Sequence, residues 1–257
     1  MTPINKPQSS KDVWNNLSQY FNTYKKDDEI EAGAADNILI AWPVIIDFIK
    51  NHFANPQESR ALDYGCGTGS FCLELSSLGF DTTGIDYSEE MIKTAKTNIS
   101  SNIKFIVGET KDVHNIAKEE GMFDLIVSIM ALQFIENIDK AFKDLSKSLS
   151  KGGYLCFAVF NQDWARECIE KKILFHHLSN TKTADELVMD FGNERKVKVF
   201  NRGSKEYDSI LRTLGFKKIL EAYPPFTSQY IEKYKPAMPT DVPEFMILGY
   251  KNEQYIT

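Results

Sequence analysis

The sequence predicts an α/β fold, doubly wound around a mostly parallel sheet, and three observations carry that prediction. Between residues 60 and 160, short aliphatic or aromatic runs alternate with segments of helical spacing. Strands separated by helices imply right-handed crossovers and parallel pairing. Several of the runs are almost continuously apolar, as strands buried on both faces are. The first run ends in a glycine-rich junction, Gly65-Cys66-Gly67-Thr68-Gly69, and sheets of this class bind ligands just beyond the carboxyl ends of their strands.

Taken in order, the strands are expected at Arg60 to Tyr64, Asp81 to Asp86, Ile103 to Val107, Phe123 to Ser128 and Tyr154 to Phe160. Phe71, Leu75 and Leu78 recur at helical spacing before Gly79, a suitable C-terminal stop. Ser88 can cap a helix whose first turn holds Glu89 and Glu90 and whose inner face is Met91, Ala95 and Ile99. Ile138, Phe142, Leu145 and Leu149 form a further stripe ending at Gly152-Gly153. Before the core, Trp14, Leu17, Tyr20, Phe21 and Tyr24 mark an aromatic helical face. Residues 161–203 are largely polar and read as a helical cap, with Trp164, Ile173, Leu174 and Phe175 as its apolar contacts. A helix over Ser204 to Gly215 and strands at Phe216 to Ala222 and Phe245 to Lys251 close the chain. Pro224, Pro225, Pro236, Pro239 and Pro243 between the last two strands predict an extended loop without regular structure. In that loop Tyr223, Phe226, Tyr230 and Tyr234 are candidate walls of a binding site.

Composition limits the function classes. The 257 residues carry 30 Lys+Arg against 36 Asp+Glu, a formal charge of −6 with no basic run, which disfavours a phosphate-neutralising nucleic-acid binder. The apolar stretch from Ile38 to Ile49 holds Pro43 and Asp47 and falls short of the about 20 apolar residues that span a bilayer. The polar start, Met1 to Lys11, has no signal-peptide core, so a cytoplasmic protein is expected. Cys66, Cys72, Cys156 and Cys168 form no C-x-x-C pair and share no zinc spacing with the four histidines; no disulfide and no metal are predicted.

The glycine spacing G-x-G-x-G differs from the dinucleotide fingerprint, because Ser70 stands where a third glycine belongs. Asp86, at the end of the second strand, lies at roughly the 20-residue distance of a carboxylate that accepts from ribose hydroxyls. The pair points to an adenosine-containing ligand. The run Leu62-Asp63-x-Gly65-Cys66-Gly67-Thr68-Gly69 resembles the first motif of class I S-adenosylmethionine-dependent methyltransferases. The later junctions are similar to the same family in the same order: Gly84 to Met91, Gly108-Glu109-Thr110, Phe123 to Ser128 and Leu149-x-x-Gly152-Gly153. The resemblance covers about 100 residues and is nearest to small-molecule methyltransferases such as the ubiquinone-biosynthesis C-methyltransferases. It implies one domain over residues 1–257. Residues 1–55 form a helical N-terminal cap, 58–160 the cofactor-binding core and 161–203 a lid, while 204–257 complete a seven-stranded Rossmann-like sheet whose final strand is antiparallel.

The resemblance further implies S-adenosylmethionine as cofactor. The backbone from Gly65 to Gly69, Cys66, Gly67 and Thr68 included, would lie beside its methionine part, with Asp63 near the amino group. Asp86 would hold the ribose, Tyr87 and Met91 would lie close to the adenine, and Glu109 with Thr110 would meet the adenine edge. Ser128 either simply ends its strand or also turns its main-chain carbonyl toward the amino group. In this family Glu109 stands where many members carry aspartate, a departure that keeps the acceptor and adds one methylene.

Methyl transfer from a sulfonium asks chiefly for alignment and exclusion of water, so no universal catalytic residue marks the family. Gln133 occupies a place where many relatives carry histidine and is read as orienting substrate. His176 and His177, taken as lying on a surface helix of the lid, are the candidate bases, and His114 has a weaker claim. The expected acceptor is a small hydrophobic or aromatic molecule. Two other classes fit parts of the pattern: a nicotinamide-dependent oxidoreductase, which expects the other glycine spacing, and a cofactor-binding relative without catalysis.

Overall fold

The computed structural model describes residues 10–18, 21, 35–99, 102–181, 184–192 and 194–253. Helix α1 (Ser10–Leu17) and a π-helical turn (Asn37–Ala41) lead into α2 (Trp42–His52). The alternating part then runs β1 (Arg60–Tyr64), α3 (Ser70–Leu78), β2 (Asp81–Asp86), α4 (Glu89–Asn98), β3 (Lys104–Val107), α5 (Thr110–Glu120), β4 (Phe123–Ile129), α6 (Ile138–Ser146) and β5 (Leu149–Phe160). Helix α7 (Gln162–Glu170) precedes β6 (Phe175–Asn180), β7 (Asp185–Asp190) and β8 (Lys196–Asn201). The chain finishes with α8 (Ser204–Thr213), β9 (Phe216–Ala222), α9 (Ser228–Tyr234) and β10 (Phe245–Asn252).

Seven strands form one sheet in the order β3-β2-β1-β4-β5-β10-β9. The pairs among β1 to β5 are parallel, and β10 runs antiparallel to both β5 and β9, as the doubly wound Rossmann-like reading expects. Alternate residues of β5 show how both faces are covered. Cys156 and Ala158 pack with Ile45, Phe48 and Ile49 of α2 and Leu75 of α3, whereas Leu155, Phe157 and Val159 pack with Phe142 and Leu145 of α6 and Leu211 of α8. Because every face of the central strands is dry, their sequences lose the alternation of a half-exposed strand and become continuously apolar.

Three segments depart from the expectations. The insertion after β5 is one helix followed by a three-stranded antiparallel sheet, β6-β7-β8, rather than a helical cap. In β6 and β7 only Phe175 and Leu187 are buried, and in β8 Val197 alternates with lysines before the buried run Val199 to Asn201; so few apolar positions among polar ones do not distinguish strands with one wet face from a polar helix. Leu149 with Gly152-Gly153 belongs to β5 and not to the preceding helix, which stops at Ser146; Leu149 is apolar because it pairs with Phe123 in the sheet. The proline-marked loop holds α9, capped by Thr227, whose hydroxyl accepts from Tyr230 N–H at 3.2 Å. Tyr20 and Tyr24, and the polar start over residues 1–9, lie outside the described residues.

Ser88 caps α4, its Oγ accepting from Met91 N–H at 3.2 Å, and its hydroxyl donates to Asn15 Oδ1 of α1 at 2.7 Å. One hydroxyl therefore both terminates a helix and docks the N-terminal helix onto the core. Ser88→Ala is expected to cost about 1 kcal/mol of stability, the usual worth of an N-cap, and to increase proteolysis within residues 10–18. Limited digestion followed by mass mapping measures both.

Candidate functional site

The parallel topology brings the ends of β2, β1, β4 and β5 to one edge of the sheet, side by side over about 14 Å at ordinary strand spacing. Because β10 is antiparallel, its beginning reaches the same edge, with Phe245 paired to Phe160. A cavity of about 780 Å³ opens along this edge, within the range of about 300–1,000 Å³ typical of small-ligand sites. Asp63, Gly65, Cys66, Gly67, Thr68, Asp86, Tyr87, Met91, Glu109 and Thr110 all line it, so a set spread over 48 positions of sequence converges in space. Gly69 and Ser128 do not line it. Gly69 caps α3 behind the loop, and Ser128 is buried beneath the floor, its hydroxyl donating to the Tyr64 carbonyl at 2.9 Å.

The loop after β1 turns through left-handed backbone at Gly65 and is pinned by Gly65 and Cys66 N–H groups that share the Ile85 carbonyl at 2.8 and 3.1 Å. Asp86 secures the same loop: Oδ2 accepts from Gly67 N–H and Oδ1 from Ser88 N–H, both at 2.9 Å. Burial pushes its pKa up, opposed by the bonds from Ser88, Gly67 and Tyr87 backbone. A carboxylate has about four lone-pair positions, so after these bonds Asp86 keeps acceptor capacity for a ribose hydroxyl at the β2 end. Asp63, 2% exposed, is held up to a pKa of about 7, first by burial, against a bond from Cys72 Sγ at 3.3 Å, with the charge of Asp86 adding to the rise. A carboxylate so poorly satisfied is suited to a cation brought by a ligand. Glu109 is half-exposed and ion-paired to Lys111 at 3.0 Å, while Thr110 donates to Asp144 Oδ2 at 3.4 Å. These groups fit an adenosyl ligand with an amino-acid tail: a glycine-rich loop that permits close backbone approach, a carboxylate at the end of β2 and a buried carboxyl beside the loop.

Asp86→Ala removes the acceptor of the Gly67 and Ser88 backbone N–H groups together with the carboxylate expected to meet the ribose. A single hydrogen bond to a charged group is worth about 1.5–3 kcal/mol. The affinity of the folded variant for S-adenosylhomocysteine should therefore fall by a factor of about 10–150, as read by calorimetric titration.

The roof is drawn from three distant segments. Trp14 of α1 meets Phe134 at 4.9 Å between ring centroids, Phe191 at 5.9 Å and Phe21 at 6.0 Å, and Leu174 and Met189 of the inserted segment face the same space. Thr68 Oγ1 donates to the Phe21 carbonyl at 2.8 Å, tying the roof to the glycine loop. Met130, which follows β4 and lines the cavity, holds a left-handed backbone with φ 55°, a conformation that costs a residue with a side chain about 1–2 kcal/mol and that clusters at functional sites.

Of the expected catalytic residues, Gln133 lines the cavity, 1% exposed, its Oε1 without a hydrogen-bond partner and its Nε2 3.8 Å from Met130 Sδ. His176 and His177 sit on strand β6, not on a helix, with exposed side chains outside the cavity. His176 Nε2 is 3.8 Å from Asp190, and His177 Nε2 is 2.6 Å from Asn180 Oδ1. His114 is a surface group of α5 that approaches the Lys147 carbonyl at 3.2 Å. Tyr223, Phe226, Tyr230 and Tyr234 do not line the cavity; Phe226 and Tyr230 are buried in the core beneath it. Residues that the sequence did not single out, Asp36, Asn37, Trp42, Met130 and Glu244, do line it. No motif marks them, since they come from the helical entry, the end of β4 and the proline-rich loop. Among the described residues no cluster of His, Cys, Asp and Glu is placed to hold a metal, and no helix is long and apolar enough to cross a membrane.

Residues 41–221 match a family model described as a methyltransferase domain. YqeM of Bacillus subtilis is 34% identical over 108 residues, 40% of this chain and 43% of that protein. A malonyl-[acyl-carrier protein] O-methyltransferase of Bacillus cereus is 29% identical over 125 residues, 48% of this chain and 45% of the relative; the chain thus aligns with less than half the length of either. Among solved structures, the PH0226 protein of Pyrococcus horikoshii superposes with a TM-score of 0.64 at 20% identity, covering 92% of this chain and 98% of the other, a likeness of fold. The family match spans the glycine loop, the carboxylate of β2 and the strands that align them, and it leaves the nicotinamide alternative without support. The chain belongs to the methyltransferase-domain family of class I, S-adenosylmethionine-dependent enzymes.

Proposed function

We propose that the protein transfers the methyl group of S-adenosylmethionine, by in-line displacement, to a small hydrophobic or aromatic acceptor. One observation carries this reading: a single cavity reaches from the glycine loop and Asp86, at the ends of β1 and β2, to Phe160 at the end of β5, with Trp42, Leu174 and Met189 adding to its apolar lining. When bound, the cofactor supplies a methyl carbon on a positively charged sulfur that leaves as a neutral thioether. The protein's part is to hold two ligands in register and keep water out, an orientation effect worth roughly 7–11 kcal/mol. Asp86 and the loop from Gly65 to Thr68 fix the nucleoside side, Asp63 takes the amino group, and Tyr87, Met91, Glu109 and Thr110 surround the base. Gln133, which lines the same cavity, orients the acceptor. Residues 58–160 act as the cofactor-binding core, with α1 and the inserted segment 161–203 as a lid over it within one domain.

Parallel calorimetric titrations with S-adenosylmethionine, S-adenosylhomocysteine and NADH test the cofactor half. Micromolar binding of the two sulfur nucleosides alone is expected, and binding of NADH alone would overturn the reading. Incubation with methyl-labelled cofactor and a panel of small aromatic acceptors tests the rest. Label should pass to an organic-extractable product; binding without transfer to any acceptor would favour the relative without catalysis.

A further inference from the structure

The acceptor end of the cavity contains a pair of carboxyl groups that no part of the family pattern predicts. Asp36 precedes the π-helical turn, Glu244 precedes β10, and both line the cavity while being 8% and 3% exposed. Each carboxyl group shifts the titration of the other. We propose that Asp36 and Glu244 form the recognition site for an amino group on the acceptor and take the proton that its nitrogen sheds on methylation. The proposal deepens the methyltransferase reading above and rests on it.

Its first support is what the pair lacks. Glu244 Oε2 is buried without a hydrogen-bond partner, and so is Asn37 Oδ1, which faces the same cavity. Asn37 is oriented by its own bonds to the pair, its backbone N–H donating to Asp36 Oδ1 at 2.7 Å and its amide at 3.2 Å. What remains facing the chamber is a set of acceptors without donors. An unmet buried acceptor is costly, and a ligand that brings several N–H donors would satisfy the whole set.

The second support is charge. The charge of the pair is felt by Tyr230 of α9 and Cys168 of α7, both ordinarily neutral, and among the described residues no lysine or arginine pairs with Asp36 or Glu244. Two carboxyls so placed cannot both ionise and therefore share a proton. Burial pushes Asp36 up to about 6 and Glu244 well above its ordinary value. The pair thus carries one negative charge near neutrality, and a ligand cation is its missing partner. Trp42, Phe160 and Met238 line the same chamber and offer polarisable faces to such a cation. A carboxylate or phenolate acceptor would instead bring like charge to the pair.

The chemistry balances. An acceptor ammonium gives one proton to the ionised carboxyl, which leaves a lone pair on nitrogen. That lone pair forms the N–C bond as the C–S bond breaks and its electrons remain on sulfur. The nitrogen departs as an N-methylammonium, and the pair returns its extra proton to solvent.

Titration of the full-length protein, saturated with S-adenosylhomocysteine, with 2-phenylethylamine, 2-phenylethanol and phenylacetate isolates the head group on a constant apolar body. The amine should bind at least about tenfold more tightly than the alcohol, and phenylacetate most weakly. The double variant Asp36→Asn/Glu244→Gln, which leaves no carboxyl to ionise, should erase the preference for the amine while S-adenosylhomocysteine and the alcohol bind as before; Asp36→Asn alone, which removes the carboxyl that ionises first, serves in its place should the double variant fail to fold. Equal affinities for amine and alcohol, no amine binding at millimolar concentration, or an unchanged preference in the variants would overturn the assignment. Failure of S-adenosylhomocysteine to bind would remove the methyltransferase reading and this proposal together, whereas its binding without that of the amine removes this proposal alone.

Discussion

Asp63→Asn raises the melting temperature of the ligand-free protein above pH 7 and at the same time weakens its binding of S-adenosylmethionine. Asp63 is buried, with a single weak partner, the Cys72 thiol at 3.3 Å, and burial holds its pKa at about 7 against an ordinary 3.8. Its folded pKa lies above its unfolded one, so the folded state binds the extra proton. The stability associated with that proton is complete below pH 4 and is lost as pH rises through 7. Above pH 7 the folded protein carries a desolvated carboxylate at a cost of up to ~4 kcal/mol, the worth of three pH units. Asparagine keeps an acceptor for Cys72 and carries no charge. Its advantage in melting temperature should therefore grow from pH 4 to pH 7 and then level off. Asp36 and Glu244 contribute their own pH dependence equally to both proteins, so the difference between them isolates Asp63. Binding runs the other way. The proposed pairing with the cofactor's ammonium needs the ionised form, and removing one member of a buried pair costs about 3–5 kcal/mol, so the affinity of the variant should fall at least 100-fold. In the unaltered protein affinity should also weaken below pH 7, and in the variant that slope should vanish. A variant whose stability does not change between pH 5 and pH 8 relative to the parent would refute the burial argument; one that binds the cofactor normally would refute the pairing.

Which parts of this site were legible in the sequence follows from how each residue is placed. Asp86, Gly65 and Glu109 are positioned by local chain geometry, each within a residue or two of a strand end, and a strand end can be read from an apolar run of five or six residues. The boundaries of β1, β2 and β9 accordingly fall where expected, at Arg60–Tyr64, Asp81–Asp86 and Phe216–Ala222. Asp36 and Glu244 meet only because β10 is antiparallel and the helical entry folds over the same edge, a juxtaposition 208 positions apart that no local spacing encodes. The histidine pair failed for a related reason. His176-His177 was judged as part of a helix, whereas on the short strand β6 their side chains project where solvent rather than ligand meets them. Half-exposed strands of six residues with few buried positions carry too little periodicity to be told from a polar helix.

The glycines of the first motif look equivalent in sequence, yet the structure assigns them unequal tasks. Gly65→Ala should be among the most damaging conservative substitutions in the protein. With φ at 75°, a side chain there costs about 1–2 kcal/mol in backbone strain alone. The added Cβ would also stand 2.3 Å from Ala131 Cβ, and neither methyl has a rotamer by which to escape. Relief requires the loop after β1 to separate from the loop after β4, and these are the two sides of the proposed cofactor cradle. Overpacking of this kind typically costs about 1–3 kcal/mol more. Affinity for S-adenosylhomocysteine should fall at least 100-fold, with a loss of several degrees in melting temperature. Gly67→Ala has a similar backbone conformation, φ 54°, but its nearest neighbour is Met91 Sδ at 4.0 Å, so only the strain remains and the loss should stay near tenfold. Pairing Gly65→Ala with Ala131→Gly separates the two contributions. Deleting the opposing methyl removes the clash and leaves the strain, so the double variant should recover to the level of Gly67→Ala. If it stays as impaired as Gly65→Ala alone, backbone conformation rather than close approach of the two loops is what the first glycine provides.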